Sequence, residues 1–283
     1  MSSFINYNGN AIDADLPVLT ADNRAFRYGD AVFETIRLMH GDVLFLDKHL
    51  QRLTKGMKML RMKVPENFTM HYFYLLIRHL DQVNLLKGNA RVRLEVFRNS
   101  GGFYSPSAND VSFIIQAEPI SAKEYVMNET GLKIDVYREI TKPVNKLSSF
   151  KSSNALLHVL AGIYKTENNL DDCLLLNTNE RVCEAIGSTV FMMKGEQLFT
   201  PALNEGCVDG VMRDQLISLL KEQGKDVKEK EITIDELLNA DEIFLSDVVN
   251  GIRWVGACKH KRYFNKFSRW LIQHLNEVQI KKV

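Results

Sequence analysis

The chain reads Leu147-Ser148-Ser149-Phe150-Lys151-Ser152-Ser153-Asn154 directly before a stretch of apolar residues at helical spacing. Ser152 or Ser153 is a suitable N-cap for such a helix, because a serine hydroxyl can accept a hydrogen bond from a first-turn N–H group. Lys151 would then lie ahead of the positive end of a helix dipole, which favours the neutral form of its amine. A neutral lysine amine is a nucleophile for a carbonyl compound. The simpler interpretation is a solvated lysine in a loop, as most lysines are.

A carboxylate and a glycine-bearing turn follow later in the chain. Glu184 stands in Val182-Cys183-Glu184-Ala185, and 206–213 reads Gly206-Cys207-Val208-Asp209-Gly210-Val211-Met212-Arg213, which leads into another predicted helix. Taken alone, Glu184 is typical of an exposed carboxylate at a strand end, and 206–213 is typical of an ordinary connection between two elements. The N–H groups at a helix start can also bind a phosphate. A reactive lysine, a carboxylate for the ring nitrogen and a phosphate turn are the three parts of a pyridoxal phosphate site.

The composition excludes several other classes of protein. The 283 residues are 45% hydrophobic and carry a net charge of +1, so the chain can form one large domain or two ordinary ones, without the basic excess of a nucleic-acid-binding protein. The four cysteines are widely spaced and form neither a metal-binding pair nor a dense disulfide framework. We therefore expect a reduced, cytoplasmic protein without a metal site. The N-terminus lacks the pattern of a secretion signal, and no apolar run approaches the roughly 20 residues that cross a bilayer.

Strand and helix patterns alternate in both halves of the chain, which predicts an α/β (α+β) protein of two domains. A small N-terminal α/β domain is expected over 1–118, a linker over 119–126 and a larger C-terminal α/β domain, carrying Lys151, over 127–283. The clearest helix patterns cover about 70–84 and 211–220, and clear strand patterns cover 91–98, 111–117 and 242–245. Asp47 could cap a helix that carries Arg52, an arginine of interest only if that helix faces a phosphate.

Taken in order, these motifs resemble the class IV aminotransferases, the fold-type IV pyridoxal phosphate enzymes. That family includes branched-chain and D-amino acid aminotransferases and aminodeoxychorismate lyase. The resemblance covers nearly the whole chain and rests on six motifs. They are Phe26–Arg37, Leu46–Leu53 with its arginine, Lys151, Glu184, Gly206–Arg213 and Ala240–Ser246.

The resemblance implies a role for each of these residues. Lys151 is expected to form the Schiff base and to act as general base, Thr35 to lie near the reacting carbon, Glu184 to bind the ring nitrogen and Arg52 to hold the phosphate. The other cofactor-binding residues implied are Gly187, Ser188, Thr189, Val208, Gly210, Val211, Met212 and Ser246. Thr189 and Val248 stand where the family often has asparagine and threonine. The resemblance also implies a homodimer, with sites at the domain interface that a loop of the other subunit partly closes.

The segment Arg98–Ser105 resembles the substrate loop of aminodeoxychorismate lyase, except that Phe103 replaces the arginine expected to hold a substrate carboxylate. Tyr28, Arg93 and Phe103 are the candidate substrate-binding residues. Leu94 follows Arg93, where branched-chain aminotransferases usually have proline. We therefore expect a lyase that converts aminodeoxychorismate to 4-aminobenzoate and pyruvate for folate synthesis. One alternative is an aminotransferase that acts on branched-chain or D-amino acids with 2-oxoglutarate. Another is a non-catalytic binding protein that kept the fold.

Overall fold

The chain forms two compact units in a computed structural model that describes residues 3–280. The first unit ends at Lys123 and also includes Phe150–Asn154, and the second comprises Glu124–Ser149 and the residues from Ala155 on. Both units mix helices with strands, so the predicted α/β (α+β) class is confirmed.

The first unit is built on one antiparallel sheet of six strands in the order β2-β1-β6-β5-β3-β4. The strands are β1 (Phe4–Tyr7), β2 (Asn10–Asp13), β3 (Ala31–Met39), β4 (Asp42–Val43), β5 (Ala90–Arg98) and β6 (Val111–Pro119). Its helices are α1 (Arg24–Tyr28), α2 (Leu46–Met59) and α3 (Met70–Val83).

The two faces of this sheet differ in character because side chains alternate along each strand. Ile36 of β3 and Val92 of β5 are fully buried, and they pack in one cluster with Met57 of α2 and Phe73 of α3. Along β3 and β5, the residues that alternate with these buried ones point to the opposite face of the sheet, where several side chains are half-buried and most of those are polar or charged. That second face carries much of the candidate site.

The second unit contains a mixed sheet of nine strands in the order β12-β11-β10-β13-β14-β7-β8-β9, with β15 paired to β14. The strands are β7 (Leu132–Lys142), β8 (Asp172–Asn177), β9 (Val182–Ala185), β10 (Thr189–Lys194), β11 (Gln197–Pro201), β12 (Val227–Lys230), β13 (Glu242–Asp247), β14 (Gly251–Cys258) and β15 (Lys261–Arg262). The helices are α4 (Leu156–Glu167), α5 (Val211–Glu222), α6 (Ile234–Leu238) and α7 (Lys266–Ile280).

The predicted helix start after Lys151 is wrong. α4 begins at Leu156 with Ala155 as its N-cap, and no side chain caps it. Ser152 instead forms an antiparallel bridge with Val32 at the beginning of β3. Pairing with a strand has therefore overridden the local preference of serine for an N-cap, and it places Lys151 in the first unit rather than with the C-terminal domain.

The predicted cap of α2 is also wrong, because Phe45 is its N-cap and Asp47 lies in its first turn. A carboxylate there still interacts favourably with the helix dipole. All four cysteines are free and buried. Within residues 3–280, no helix has the length and apolar character needed to cross a membrane. The same residues contain no group of three or more His, Cys, Asp or Glu side chains placed to hold a metal ion.

Candidate active site

Lys151 lies on a short extended segment that runs beside the beginning of β3. The Phe33 N–H donates to the Lys151 carbonyl at 2.9 Å, and the Ser153 N–H donates to the Ala31 carbonyl at 3.0 Å. These sheet-like hydrogen bonds fix the backbone on both sides of the Lys151 side chain. The half-buried amine is therefore positioned by β3.

Two cationic side chains contact the ring of Phe33. The Lys151 amine lies 4.8 Å from the ring centroid, and the Arg93 guanidinium lies 3.9 Å from it. Both distances allow cation–π attraction. Arg93 also forms an ion pair with Glu95 at 2.8 Å, and Glu95 accepts a hydrogen bond from the Ser153 hydroxyl at 2.5 Å. Phe33 and Glu95 thus hold the candidate lysine and the candidate substrate arginine on one face of the sheet.

Thr35 lies on the same face, directly opposite Arg93 in the pairing of β3 with β5. The Cβ atoms of such cross-strand neighbours are about 4.5–5.5 Å apart, so the two side chains start as neighbours on this face. The sequence-predicted residues Lys151, Thr35 and Arg93 are therefore brought to one half-buried face. An amine, a hydroxyl and a guanidinium together suit a small substrate that carries an amine and a carboxylate.

Arg52 reaches the core side of the sheet, where it is paired with a carboxylate that sequence reasoning missed. Its Nε and Nη2 atoms donate to the two carboxylate oxygens of Glu34 at 2.8 and 2.6 Å. Nδ1 of His49 contacts the same carboxylate at 2.6 Å. Glu34 is 1% exposed and stands in the apolar, core-facing row of β3. A carboxylate at such a position needs a buried partner. An acidic residue within an apolar strand row is therefore the sequence signal that could have revealed this ion pair.

The charge of this cluster is set by competition between burial and ion pairing. Burial raises the pKa of Glu34, but Arg52 and His49 outweigh it and hold this pKa at about 2. Burial lowers the pKa of His49, and the contact with Glu34 opposes that shift. Glu34 is therefore ionised at neutral pH and fixes the orientation of the Arg52 guanidinium.

Glu184 lies on β9 in the second unit and is 5% exposed, so it is a buried carboxylate. Lys142 contacts its Oε1 atom at 2.5 Å, and the Nε2 atom of His158 lies 3.1 Å from that oxygen. The Val208 N–H donates to Oε2 at 2.8 Å. Burial raises the pKa of Glu184, but Lys142 and then His158 outweigh it and hold this pKa at about 2. Glu184 is thus an anion that can accept a further hydrogen bond.

The predicted phosphate turn ends at the start of α5. Gly210 is the N-cap of this helix, and no side chain caps it. A Cβ atom added at Gly210 would lie 2.8 Å from the Thr189 hydroxyl, so only glycine allows that hydroxyl so near the helix start. Val211 and Met212 are the first residues of α5, and first-turn N–H groups have no partner within the helix.

Two further hydroxyl groups lie at the ends of neighbouring strands. Ser246 on β13 pairs directly with Thr189 on β10. Its hydroxyl is buried without a hydrogen-bond partner among the described residues. The Ser188 hydroxyl donates to Asp247 at 3.2 Å and lies 3.0 Å from Nη2 of Arg253. Hydroxyl groups beside a helix N-terminus can donate to a phosphate, so Thr189 and Ser246 fit the phosphate of pyridoxal phosphate, whereas the Ser188 proton is used by Asp247.

The remaining positions in the second unit that the sequence singled out offer no side-chain group for a phosphate. Gly187 is exposed, and a Cβ atom there would meet no atom within 4 Å. Val208 contributes its N–H to Glu184 rather than to the helix start. Val248 is buried and its carbonyl accepts from the Tyr125 hydroxyl at 3.0 Å, so a backbone group is what this position contributes.

The loop that is predicted to bind substrate is fixed by a buried arginine. Nη1 of Arg24 donates to the Phe103 carbonyl at 2.6 Å and to the Gly101 carbonyl at 3.1 Å, while its Nε donates to Asp30 at 2.8 Å. The Arg24 guanidinium also lies 5.0 Å from the ring centroid of Tyr28. The Phe103 side chain is 78% exposed. The loop backbone is thus held in shape while this aromatic ring is presented to its surroundings.

The predicted residues are divided between the two units. The first unit contains Lys151, Thr35, Arg93, Arg52, Tyr28 and Phe103, and the second contains Glu184, Gly187, Ser188, Thr189, Val208, Gly210, Val211, Met212 and Ser246. Sequence reasoning missed the partner side chains Glu34, Lys142 and His158. Lys142 and His158 gave no signal of their own, because an isolated lysine or histidine is usually solvated.

The chain matches a known protein family. The family described as amino-transferase class IV matches residues 31–258. A putative branched-chain-amino-acid aminotransferase of Methanocaldococcus jannaschii is 30% identical over 245 residues, which are 86% of this chain and 83% of that protein. An aminodeoxychorismate lyase of Bacillus subtilis is 29% identical over 252 residues, which are 87% of this chain and 83% of the lyase.

Solved structures share the fold. A branched-chain aminotransferase of Thermoproteus uzoniensis, solved with norvaline, superposes with a TM-score of 0.90 at 22% identity, over 100% of this chain and 96% of that one. A putative 4-amino-4-deoxychorismate lyase of Legionella pneumophila superposes with a TM-score of 0.84 at 24% identity, over 93% of this chain and 96% of that one. At these identities the likeness establishes the architecture alone.

Proposed function

The chain belongs to the class IV aminotransferase family of pyridoxal phosphate-dependent enzymes, and from that premise we propose that it is an aminodeoxychorismate lyase. The proposed reaction releases pyruvate from aminodeoxychorismate and leaves 4-aminobenzoate, which serves folate synthesis. Pyridoxal phosphate, when bound, takes up the electron pair left after a proton leaves the carbon that bears the substrate amine.

The class IV family pattern gives the following residues their proposed roles toward the cofactor. Lys151 attaches to the cofactor aldehyde, and Glu184 accepts a hydrogen bond from the ring nitrogen. The N–H groups of Val211 and Met212 and the hydroxyls of Thr189 and Ser246 bind the phosphate. Gly187, Ser188, Val208 and Gly210 shape the backbone around it. Arg52, whose orientation Glu34 fixes, adds positive charge for the phosphate.

The observation that carries the lyase proposal is the placement of Thr35 beside Arg93, on the face where Lys151 lies over Phe33. With the cofactor bound, the Lys151 amine would act as the general base that takes the proton from the amine-bearing carbon. The neighbouring C–O bond then breaks, and the enol of pyruvate departs while the ring becomes aromatic. The Thr35 hydroxyl can donate a hydrogen bond to the departing oxygen. Arg93 has five N–H donors, of which Glu95 accepts two, so it can also bind a substrate carboxylate.

Two relatives support this choice. The lyase of Bacillus subtilis is 29% identical and that of Vibrio harveyi is 26% identical over 261 residues. The chain differs from the lyase pattern at Phe103, where an aromatic ring replaces the arginine of the substrate loop. We propose that Tyr28 and Phe103 contact the substrate ring and that Arg93 binds one of the two substrate carboxylates.

Transamination of branched-chain or D-amino acids is the second candidate. The 30% identity to the archaeal relative named as a putative branched-chain-amino-acid aminotransferase favours it. In that reaction Lys151 would move the same proton as general base and acid, and the product would be a keto acid. The two reactions share their first half, so only the product distinguishes them.

The test is a comparison of substrates with the purified, cofactor-loaded protein. We expect aminodeoxychorismate to yield equal amounts of 4-aminobenzoate and pyruvate. Matched reactions would contain leucine or D-alanine with 2-oxoglutarate, and the formation of glutamate would be measured. Turnover of an amino acid without 4-aminobenzoate would replace the lyase by the aminotransferase. A protein that binds no pyridoxal phosphate and turns over neither substrate would be a binding protein that kept the fold.

A further inference from the structure

Two basic side chains that have no part in the proposed reaction contact Glu184. Lys142 is the last residue of β7, and His158 lies in the first half of α4. Both contact Oε1, at 2.5 and 3.1 Å, while the Val208 N–H contacts Oε2 at 2.8 Å. Three separate parts of the second unit thus bind one carboxylate whose side chain is 7% exposed.

The position of Lys142 is a product of the fold. The pairing of β7 with β8 is regular up to Tyr137, then shifts register and resumes where Lys142 pairs with Asn177. The side chain of Lys142 is 8% exposed, and a buried ammonium is stable only beside an anion. Glu184 is that anion, and the Ser148 carbonyl lies 3.5 Å from the same ammonium. The register shift therefore places a buried cation against the carboxylate proposed for the ring nitrogen.

This inference rests on the proposed function: we propose that Lys142 and His158 are positioning residues that orient Glu184 and keep it as a carboxylate acceptor for the cofactor's ring nitrogen. A carboxylate has about four lone-pair positions, two on each oxygen. Lys142 and His158 occupy the two on Oε1, and Val208 occupies one on Oε2. One position on Oε2 remains for the ring N–H.

Glu184 has further titratable neighbours on its own strand and in the loop before α5. Cys183 and Cys207 are both buried, and burial raises the pKa of Cys183 far above its ordinary value and that of Cys207 to about 11. Both thiols are therefore neutral at physiological pH. Since burial alone would raise the pKa of Glu184, Lys142 and His158 are the side chains that keep it ionised.

The test replaces Lys142 by methionine, which preserves length and removes the charge. Affinity for pyridoxal phosphate is measured by absorbance titration of the full-length protein between pH 5 and 9. Lys142→Met is expected to weaken binding about 10-fold, the loss typical of one hydrogen bond to a charged group. The weakening should grow towards low pH, because a protonated Glu184 cannot accept the ring N–H. Lys142→Arg should recover most of the affinity, and Lys146→Met, which removes an exposed lysine nearby, should change nothing.

His158 provides an independent comparison if Lys142→Met does not fold, because its side chain is 28% exposed. His158→Leu should weaken binding several-fold, and His158→Gln, which keeps a donor, should recover it. Normal cofactor affinity with an unchanged pH profile in Lys142→Met, or in His158→Leu, would overturn the inference while leaving the proposed function intact. A wild-type protein without affinity for pyridoxal phosphate would overturn both.

Discussion

The guanidinium of Arg52 is bound edge-on by the carboxylate of Glu34, with Nε–Oε1 and Nη2–Oε2 distances of 2.8 and 2.6 Å. Both side chains lie inside the first unit, at 9% and 1% exposure. Removing one partner of a buried ion pair leaves a charge without compensation, which typically costs about 3 kcal/mol or more. We therefore expect Glu34→Gln to lower the free energy of unfolding by about 3 kcal/mol.

The same substitution should weaken cofactor binding, because the amide no longer fixes the guanidinium proposed to face the phosphate. Urea unfolding and pyridoxal phosphate titration measure the two effects. Glu118→Gln is the matched control, since Glu118 is an exposed carboxylate on the same sheet whose partner, Arg91, is also exposed. Equal stabilities of the two variants would show that the pair contributes little.

Stability should decrease in acid over a defined range of pH. The pKa values of Glu34 and Glu184 are both lowered from 4.5 to about 2. A lowered folded-state pKa contributes stability that is fully present above the unfolded-state value of about 4.5 and is lost as the pH falls towards 2. Each carboxylate contributes on the order of 3 kcal/mol. Urea unfolding at several pH values should give a shallower decrease for Glu34→Gln than for wild type, and parallel decreases would contradict this account.

Much of the fold could be predicted from local pattern. α3 was expected over about 70–84 and spans Met70–Val83, because its apolar residues repeat at helical spacing. β5 and β6 were found for the same reason, since alternation of apolar and polar residues marks a sheet with one buried face. Such a pattern also placed Arg93 on a half-buried strand, so part of the candidate site followed from the sequence.

The rest depended on contacts between distant parts of the chain. Ser152 resembles an N-cap locally, but its partner in the fold is Val32, and nothing in either neighbourhood encodes that pairing. Lys142 resembles a solvated residue at a strand end, and the register shift that buries it against Glu184 is a property of the assembled sheet. Buried charges of this kind are visible only once both partners are placed.

Lys151 is expected to be essential for covalent attachment of the cofactor. Lys151→Ala removes the amine and should abolish both the absorbance band of the lysine-bound cofactor and all turnover. The backbone of the segment should persist, because its hydrogen bonds to β3 involve main-chain atoms. Spectra before and after borohydride reduction provide the measurement, with Lys146→Ala as the control. Normal turnover in Lys151→Ala would remove this residue from the proposed mechanism.

Gly210 should not tolerate even a methyl group. A Cβ atom there would lie 2.8 Å from the Thr189 hydroxyl and 3.2 Å from Cβ of Arg213, so the hydroxyl must move away from the helix start. Loss of one hydrogen bond to a phosphate should weaken pyridoxal phosphate binding about 10-fold. Gly162→Ala is the control, since a Cβ atom on that glycine of α4 meets nothing within 4 Å, and it should stabilise the protein by up to about 1 kcal/mol. Unaltered affinity in Gly210→Ala would place the phosphate elsewhere.

Arg24 should control substrate affinity without changing cofactor affinity. Its guanidinium donates to the carbonyls of Gly101 and Phe103, at 3.1 and 2.6 Å, and it is itself held by Asp30. Arg24→Gln removes these bonds, so substrate binding must then also order the loop, and KM should rise about 10-fold. Affinity for pyridoxal phosphate should stay within about twofold of wild type, because the cofactor residues proposed here lie on other elements. Arg27→Gln, an exposed arginine of the same helix, is the control. An unchanged KM in a folded Arg24→Gln protein would exclude this loop from substrate binding, whereas a parallel loss of cofactor affinity would indicate a general disturbance of the first unit.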